Sequence, residues 1–251
     1  MLKSDRPWTR QAIKLLCRLF LGRRAHYHSW LPSLAIEGRG EGHAGKLQFR
    51  GVDGPILLTR AALAGRAGDR IMILGSGPSI KNADLSMLPA RSALLLNGAI
   101  SLIGAAIAEP LAVAIEDERF VWRHFDMIRA HVAPGTLCLL SVGAIRALME
   151  QDRGWLSDRS VILIDDIRKP YGAPRRSSET LASLDCVSMD PTGAGFSSDP
   201  DRGVFQGGSV AVSALQFALA TRATEIGFLG VDIANADAPR FYETAGEVAF
   251  S

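Results

Sequence analysis

Arg70-Ile71-Met72-Ile73-Leu74-Gly75-Ser76-Gly77-Pro78-Ser79 is the stretch whose reading decides the fold. Ile71 to Leu74 is a short apolar run that empties at once into a Gly-Ser-Gly-Pro-Ser loop, as a buried parallel strand does at a ligand-binding edge. Glycine at 75 and 77 allows positive φ and close approach of a ligand to the main chain. Ser79 is placed to cap a following helix, whose free N–H groups would face an anion. Further on, Ala93 to Leu96 reads as a second apolar strand that delivers Asn97. Two adjacent parallel strands with polar carboxyl ends make a nucleotide site the leading expectation.

The same rhythm continues downstream. Strands are expected at 111–115, 137–141, 161–164 and 225–229, and helices at 98–108, 120–131, 143–151 and 210–220. That alternation predicts an α/β fold built on a doubly wound, mostly parallel sheet. Two segments divide the chain: residues 1–69, a basic helix and an irregular extension, and residues 70–251, the nucleotide-binding domain. Within the extension, the glycines from 38 to 45 predict a flexible loop, 46–50 a strand and 56–64 a short helix. Residues 168–208 are polar and rich in Pro, Gly and Ser, and read either as a binding lid or as disorder.

Composition narrows the classes. With 47% hydrophobic and 22% charged residues over 251 positions, the chain is an ordinary globular protein. A net charge of +2 argues against a nucleic-acid partner. Cys17, Cys138 and Cys186 lack metal-site spacing and fit reduced thiols in a cytoplasmic protein. No run of ~18 apolar residues is present to span a membrane. Residues 1–30 are basic and carry an apolar stripe from Ile13 to Leu21. Two readings follow: a helix resting through residues 8–24 on an anionic inner-membrane face, or a first helix packed on the domain.

Every polar cluster of note falls at a strand's carboxyl end: Gly75-Ser76-Gly77, Asn97, Glu116-Asp117-Glu118, Ser141, Asp165-Asp166 and Asp232. The glycine loop is not a Walker A sequence, since no Gly-Lys-Ser/Thr follows. It is not the dinucleotide fingerprint either, because Ile80 takes the third glycine's place and Pro78 lacks an amide donor. Glu116-Asp117-Glu118 has the look of a metal-binding acidic motif, but capping of the helix that follows is the preferred reading, and no metal is expected. Gly207-Gly208-Ser209, opening an apolar helix, is a second anion-site candidate or a plain N-cap. The five histidines, at 26, 28, 43, 124 and 131, fall at no expected strand end and support no Ser-His-Asp triad, and His124 and His131 read as helix-surface residues.

Ile73-Leu-Gly-Ser-Gly-Pro-Ser-Ile80, then Leu96-Asn97, resembles the bacterial sialyltransferases of glycosyltransferase family 42 and related lipopolysaccharide or flagellin glycosyltransferases. Phe205-Gln-Gly-Gly-Ser-Val-Ala-Val-Ser-Ala-Leu-Gln216, followed by Glu225-Ile-Gly-Phe-Leu-Gly-Val-Asp232, is similar to that family's helix and its strand ending in Gly-x-Asp. Together the matches span residues 70–243. The resemblance implies a single-domain, GT-A-like Rossmann variant that binds a CMP-activated acidic sugar, sialic-acid-like or Kdo-like, without metal or other cofactor. It places Gly75, Ser76, Gly77, Pro78 and Ser79 about the nucleotide and Asn97 in hydrogen bonding to it. It also sets Ser209, beside Gly208, on the donor's carboxylate, and Asp232 at the strand end next to the nucleotide. Glu116 stands where the sialyltransferases have an Asn, and a carboxylate facing an acidic sugar would repel it.

Two departures bear on catalysis. Ile233 and Ala234 follow where the family has a tyrosine pair, leaving Tyr242 as the nearby candidate with Asp232. The family's downstream general-base His has no counterpart before Ser251, so a chain truncated at the C-terminus is expected. The expectation is thus a cytoplasmic, inverting glycosyltransferase that modifies a surface glycan, its partners a nucleotide sugar and a glycan acceptor. The alternatives are a pyrophosphokinase-like phosphotransferase using ATP and Mg²⁺, and an inactive nucleotide-binding module.

Overall fold

The computed structural model describes residues 7–21, 26–38, 45–232 and 240–242. Residues 22–24 of the expected membrane segment, 39–44 of the glycine-rich loop, Ile233 and Ala234, and the C-terminal end lie outside the described residues. In chain order the elements are α1 (Trp8–Leu21), β1 (Leu34–Glu37), β2 (Lys46–Phe49), β3 (Val52–Leu58), α2 (Arg60–Ala64), β4 (Arg70–Leu74), β5 (Ala93–Leu96), β6 (Ala112–Ile115) and α3 (Glu118–His131). There follow β7 (Leu137–Ser141), α4 (Val142–Gln151), β8 (Ser160–Ile164), α5 (Ser178–Ala182), β9 (Val187–Met189), β10 (Gly195–Ser197), α6 (Val210–Leu219) and β11 (Glu225–Leu229).

Among the described residues, nine strands form one sheet in the order β1-β2-β3-β8-β7-β6-β5-β4-β11. Every pairing from β3 across to β11 is parallel, and β1 and β2 add an antiparallel edge. The expected α/β doubly wound sheet is therefore the observed one. Strands β5, β6 and β7 are buried along their whole length because helices cover both faces, which explains their unbroken apolar sequence.

Right-handed crossovers decide which helix lies on which face. From β4 to β8 the chain steps steadily one way across the sheet, and α3 and α4 fall on one side, over Leu95, Val113, Ile115 and Leu140. The two long returns, β3 to β4 and β8 to β11, step the other way and put α2 and α6 on the opposite side, over Ile73, Leu94, Ala112 and Leu139. Exits from β7 and β8 therefore leave to opposite faces, and a crevice opens between them.

Several local expectations change. Residues 97–102 form a short 3₁₀ turn rather than the start of a helix over 98–108, since Gly104, at φ +83°, ends the segment. The expected helix 56–64 is strand β3 followed by the single-turn α2. Because β3 pairs with β8, the sheet runs straight through the division placed between residues 69 and 70.

Residues 168–208 are folded rather than featureless. Strands β9 and β10 pair antiparallel, and Ile167, Leu181, Cys186 and Phe205 make a small core of their own. Gln216 of α6 clamps this segment: its amide oxygen accepts from the Ser197 and Phe205 N–H groups and its amide nitrogen donates to the Phe205 carbonyl. All three cysteines are free and buried, and burial pushes the Cys138 thiol up to about 12, which leaves it unreactive.

Candidate functional site

A cavity of about 700 Å³ opens at the carboxyl ends of β4, β5, β6 and β11. Gly75 and Ser76 form one part of its wall, Asn97 and Glu116 another, Gly208 and Ser209 a third. Asp232 and Tyr242 close the remaining side. Gly77, Pro78 and Ser79, expected about the nucleotide, instead form the turn behind it, with Gly77 as the N-cap of a 3₁₀ helix over Pro78–Asn82.

The glycines serve a different purpose from the expected one. Gly77 has φ −68°, and neither Gly75 nor Gly77 adopts positive φ. They are needed because the loop after β11 passes against them. The Gly75 N–H donates to the Leu229 carbonyl and the Gly77 N–H to the Gly230 carbonyl, both at 2.8 Å. A Cβ on Gly75 would sit 2.3 Å from the Gly230 carbonyl oxygen. The Ser79 N–H donates to Asp232 Oδ2 at 3.0 Å, so Ser79 is the donor to a carboxylate rather than a cap. Hydrogen bonds from Ser79 hold the Asp232 carboxyl below its ordinary range, which makes Asp232 a poor proton acceptor near neutral pH.

Asn97 carries a different signal. It sits at φ +44°, a left-handed conformation that Asn tolerates better than most residues. Its side-chain oxygen is buried without a hydrogen-bond partner while the residue lines the cavity. An orphaned buried acceptor costs about 1–3 kcal/mol until a donor reaches it. Across the cavity, Ser209 N-caps α6, with its Oγ accepting from the Ala211 N–H at 3.3 Å. The amino end of that ten-residue helix faces the cavity.

The acidic triplet separates into three roles. Asp117 caps α3, accepting from the Arg119 N–H at 2.8 Å, and pairs with the Arg119 guanidinium. Glu118 is buried and bound by Arg10 of α1 and by the Tyr27 hydroxyl. Glu116 lines the cavity, and Ser213 Oγ donates to its Oε2 at 2.8 Å. Burial pushes the Glu116 carboxyl up, with Asp166 and Asp117 adding to the rise and the Ser213 hydroxyl opposing it.

Tyr242 packs against Gly98, where any Cβ would overlap its ring, and meets His124 edge-on at 5.6 Å. His124 is not a plain surface residue: it is half-buried at a kink in α3, at φ −122° and ψ 28°. Arg119 and Arg240 also line the cavity and were not singled out in sequence.

A second cavity, of about 440 Å³, fills the crevice between the exits of β7 and β8. Asp165, Asp166 and Ser141 lie on its floor, and Lys14 and His26 reach it from the N-terminal segment. His26 is kept below its ordinary pKa by burial, against the opposing pull of Asp165, and its Nδ1 is buried and unpartnered. Asp165 accepts from the Tyr171 N–H at 3.1 Å and so fixes the start of the polar segment. The strand-end rule pointed to Asp165 and Asp166, but no sequence signal linked Lys14 or His26 to them. Glu116, Asp117 and Arg119 line both cavities, which are thus neighbours across one short wall.

Comparison with known proteins bears on this arrangement. The family model described as 3-deoxy-D-manno-octulosonic acid transferase WaaZ matches residues 59–251. No curated protein and no solved structure matches the chain. The family match supports a lipopolysaccharide glycosyltransferase handling a Kdo-type sugar, the coarser part of what the sialyltransferase resemblance implied. Since it covers well over half of the chain, this protein belongs to the WaaZ family of 3-deoxy-D-manno-octulosonic acid (Kdo) transferases.

Proposed function

We propose that this chain transfers Kdo from a CMP-activated donor to a lipopolysaccharide acceptor, without a metal and with inversion at the anomeric carbon. The observation that carries the donor assignment is Asn97, whose buried side-chain oxygen lacks a donor in the larger cavity. A cytidine amino group or ribose hydroxyl supplies such a donor. The α6 amino end with Ser209, and the guanidinium groups of Arg119 and Arg240, supply the positive potential that one phosphate and one sugar carboxylate need. A single-phosphate leaving group can be held by these groups in place of a cation.

Replacing Asn97 with alanine is expected to weaken CMP binding by about 1–3 kcal/mol, roughly 5- to 150-fold. Calorimetric titration of CMP checks it. Unchanged affinity in the folded variant would remove Asn97 from the donor site. A thermal-shift screen of CMP, UDP and ATP, each with and without Mg²⁺, tests the class. Stabilisation by CMP alone is the expected result, whereas a response only to ATP with Mg²⁺ would identify a phosphotransferase.

The same reading makes α1 a peripheral anchor on the cytoplasmic face of the inner membrane. No helix among the described residues is long and apolar enough to cross a membrane. Arg10 and Cys17 turn α1's buried side inward, while Leu19 is 69% and Phe20 81% exposed on the outer side with Trp8, Leu15 and Leu16. Arg18 flanks that apolar stripe with positive charge. Leu19→Gln is expected to lower partitioning onto anionic phospholipid vesicles by about tenfold, from the transfer energy of one leucine side chain. Equal co-sedimentation of both forms would remove α1 from the membrane.

A further inference from the structure

We propose that Glu116 is the catalytic base, taking the acceptor hydroxyl's proton at the junction where the donor cavity meets a separate acceptor cavity. This rests on the Kdo transfer proposed above. An inverting displacement brings two substrates together from opposite sides of one carbon, so it calls for two binding volumes that meet. The structure supplies them: the 700 Å³ cavity at β4–β6 and β11, and the 440 Å³ cavity in the crevice between β7 and β8. Among the described residues, only Glu116, Asp117 and Arg119 line both.

Of these three, Asp117 is engaged as the α3 cap and by the Arg119 guanidinium. Arg119 has no basic lone pair to offer. Glu116 has its Oε2 held by Ser213 at 2.8 Å, and its main-chain oxygen held by Ser141 Oγ at 2.6 Å, which fixes the carboxylate at the junction. Glu116 itself lines both cavities, and its Oε1 takes no hydrogen bond among the described residues. In the transfer, the acceptor oxygen bonds to the anomeric carbon as that carbon's bond to the phosphate oxygen breaks. CMP leaves with the electron pair, and the hydroxyl proton passes to Glu116 Oε1. The mixed charges of the second cavity, Lys14 and Lys169 against Asp165 and Asp166, suit a polyhydroxylated sugar carrying an anionic group.

A carboxylate is a stronger base when its pKa is raised toward the working pH, and burial raises that of Glu116. The groups that face it are Asp117 from α3, Asp166 from the β8 exit, Ser213 from α6 and Arg119. The sign is fixed: the base must be ionised, so activity is lost as pH falls through a pKa lying above 4.5.

The test is Glu116→Gln, assayed with CMP-Kdo and lipopolysaccharide from cells lacking this chain. Expected are a fall in kcat of about 10²–10⁴-fold, the usual share of a general base, and CMP affinity within about threefold of wild type. A kcat within about threefold of wild type overturns the assignment. Should the variant fail to fold, the wild-type pH–rate profile decides. A single acidic limb above pH 4.5 supports Glu116, and a profile flat from about pH 4.5 to 8 overturns it. A wild-type chain that neither binds CMP nor uses CMP-Kdo refutes the donor assignment itself, a result distinct from an active Glu116→Gln enzyme.

Discussion

Replacing Arg10 with methionine is expected to cost the fold about 3–5 kcal/mol, the penalty for breaking a buried ion pair by removing one partner. Arg10 is only 3% exposed, although it belongs to a helix whose other face is open to solvent. Its guanidinium binds Glu118, at the start of α3, and donates to Glu150, near the end of α4, at 2.7 Å. It also lies over the Trp122 ring at 5.8 Å. Without it, Glu118 loses the Arg10 guanidinium, and a carboxylate that is 6% exposed is left in a poorly solvated place. Methionine fills much of the volume, so the loss reports on charge rather than on a cavity. Urea denaturation followed by circular dichroism measures it. The triple variant Arg10→Met, Glu118→Gln, Glu150→Gln should recover most of the loss, because no charge is then stranded. A single-variant loss below about 1 kcal/mol would mean that water reaches the pair.

Gly75→Ala is the second large effect, expected to cost about 3 kcal/mol, at the upper end of the range for overpacking. The added methyl would lie 2.3 Å from the Gly230 carbonyl oxygen and 2.9 Å from its carbonyl carbon. These are main-chain atoms, fixed by the parallel register of Leu74 with Leu229, so no side-chain rotation relieves the contact. Relief requires β11 to move away from β4, which shifts the cavity wall at Asp232 and should weaken CMP binding as well. At Gly77 the nearest neighbour is the Asp232 carboxylate, at 2.1 Å, which can swing aside, and the main-chain contact, with the Gly230 carbonyl oxygen at 2.8 Å, is less severe than the 2.3 Å at Gly75. Gly77→Ala should therefore be the milder of the two in a melting experiment. Equal melting temperatures for Gly75→Ala and wild type would show that β4 and β11 separate without cost.

How much of this was legible depended on range. The central strands announced themselves because burial on both faces demands unbroken apolar runs, and Ala93–Leu96 and Leu137–Ser141 were placed to the residue. The edge was less readable. Val52–Leu58 contains Gly54 and Pro55, and only its Leu57 is buried, so its apolar end merged in sequence with α2. The small core of the 168–208 segment was hidden because Leu181, Cys186 and Phe205 stand far apart between polar residues. At the site, Asn97 and Glu116 followed from the rule that ligands gather at strand carboxyl ends, and Ser209 from a glycine turn opening an apolar helix. Lys14 and His26 had no such signal, since they meet Asp165 only through tertiary packing. Arg146 brings about that packing: it is 1% exposed and donates to the carbonyls of His28, Leu31 and Pro32, pinning the segment next to His26.

The amides of the glycine loop carry one more consequence. Those of Gly75, Gly77 and Ser79 already bond to the β11 side of the site. A graft that restored the missing third glycine at Ile80 would not create a pyrophosphate cradle, because the donors such a cradle needs are occupied by protein. It would also remove the side chain that packs against Gly230. Re-engineering the donor preference of this enzyme therefore has to begin at β11 and the amino end of α6, with the loop sequence left alone.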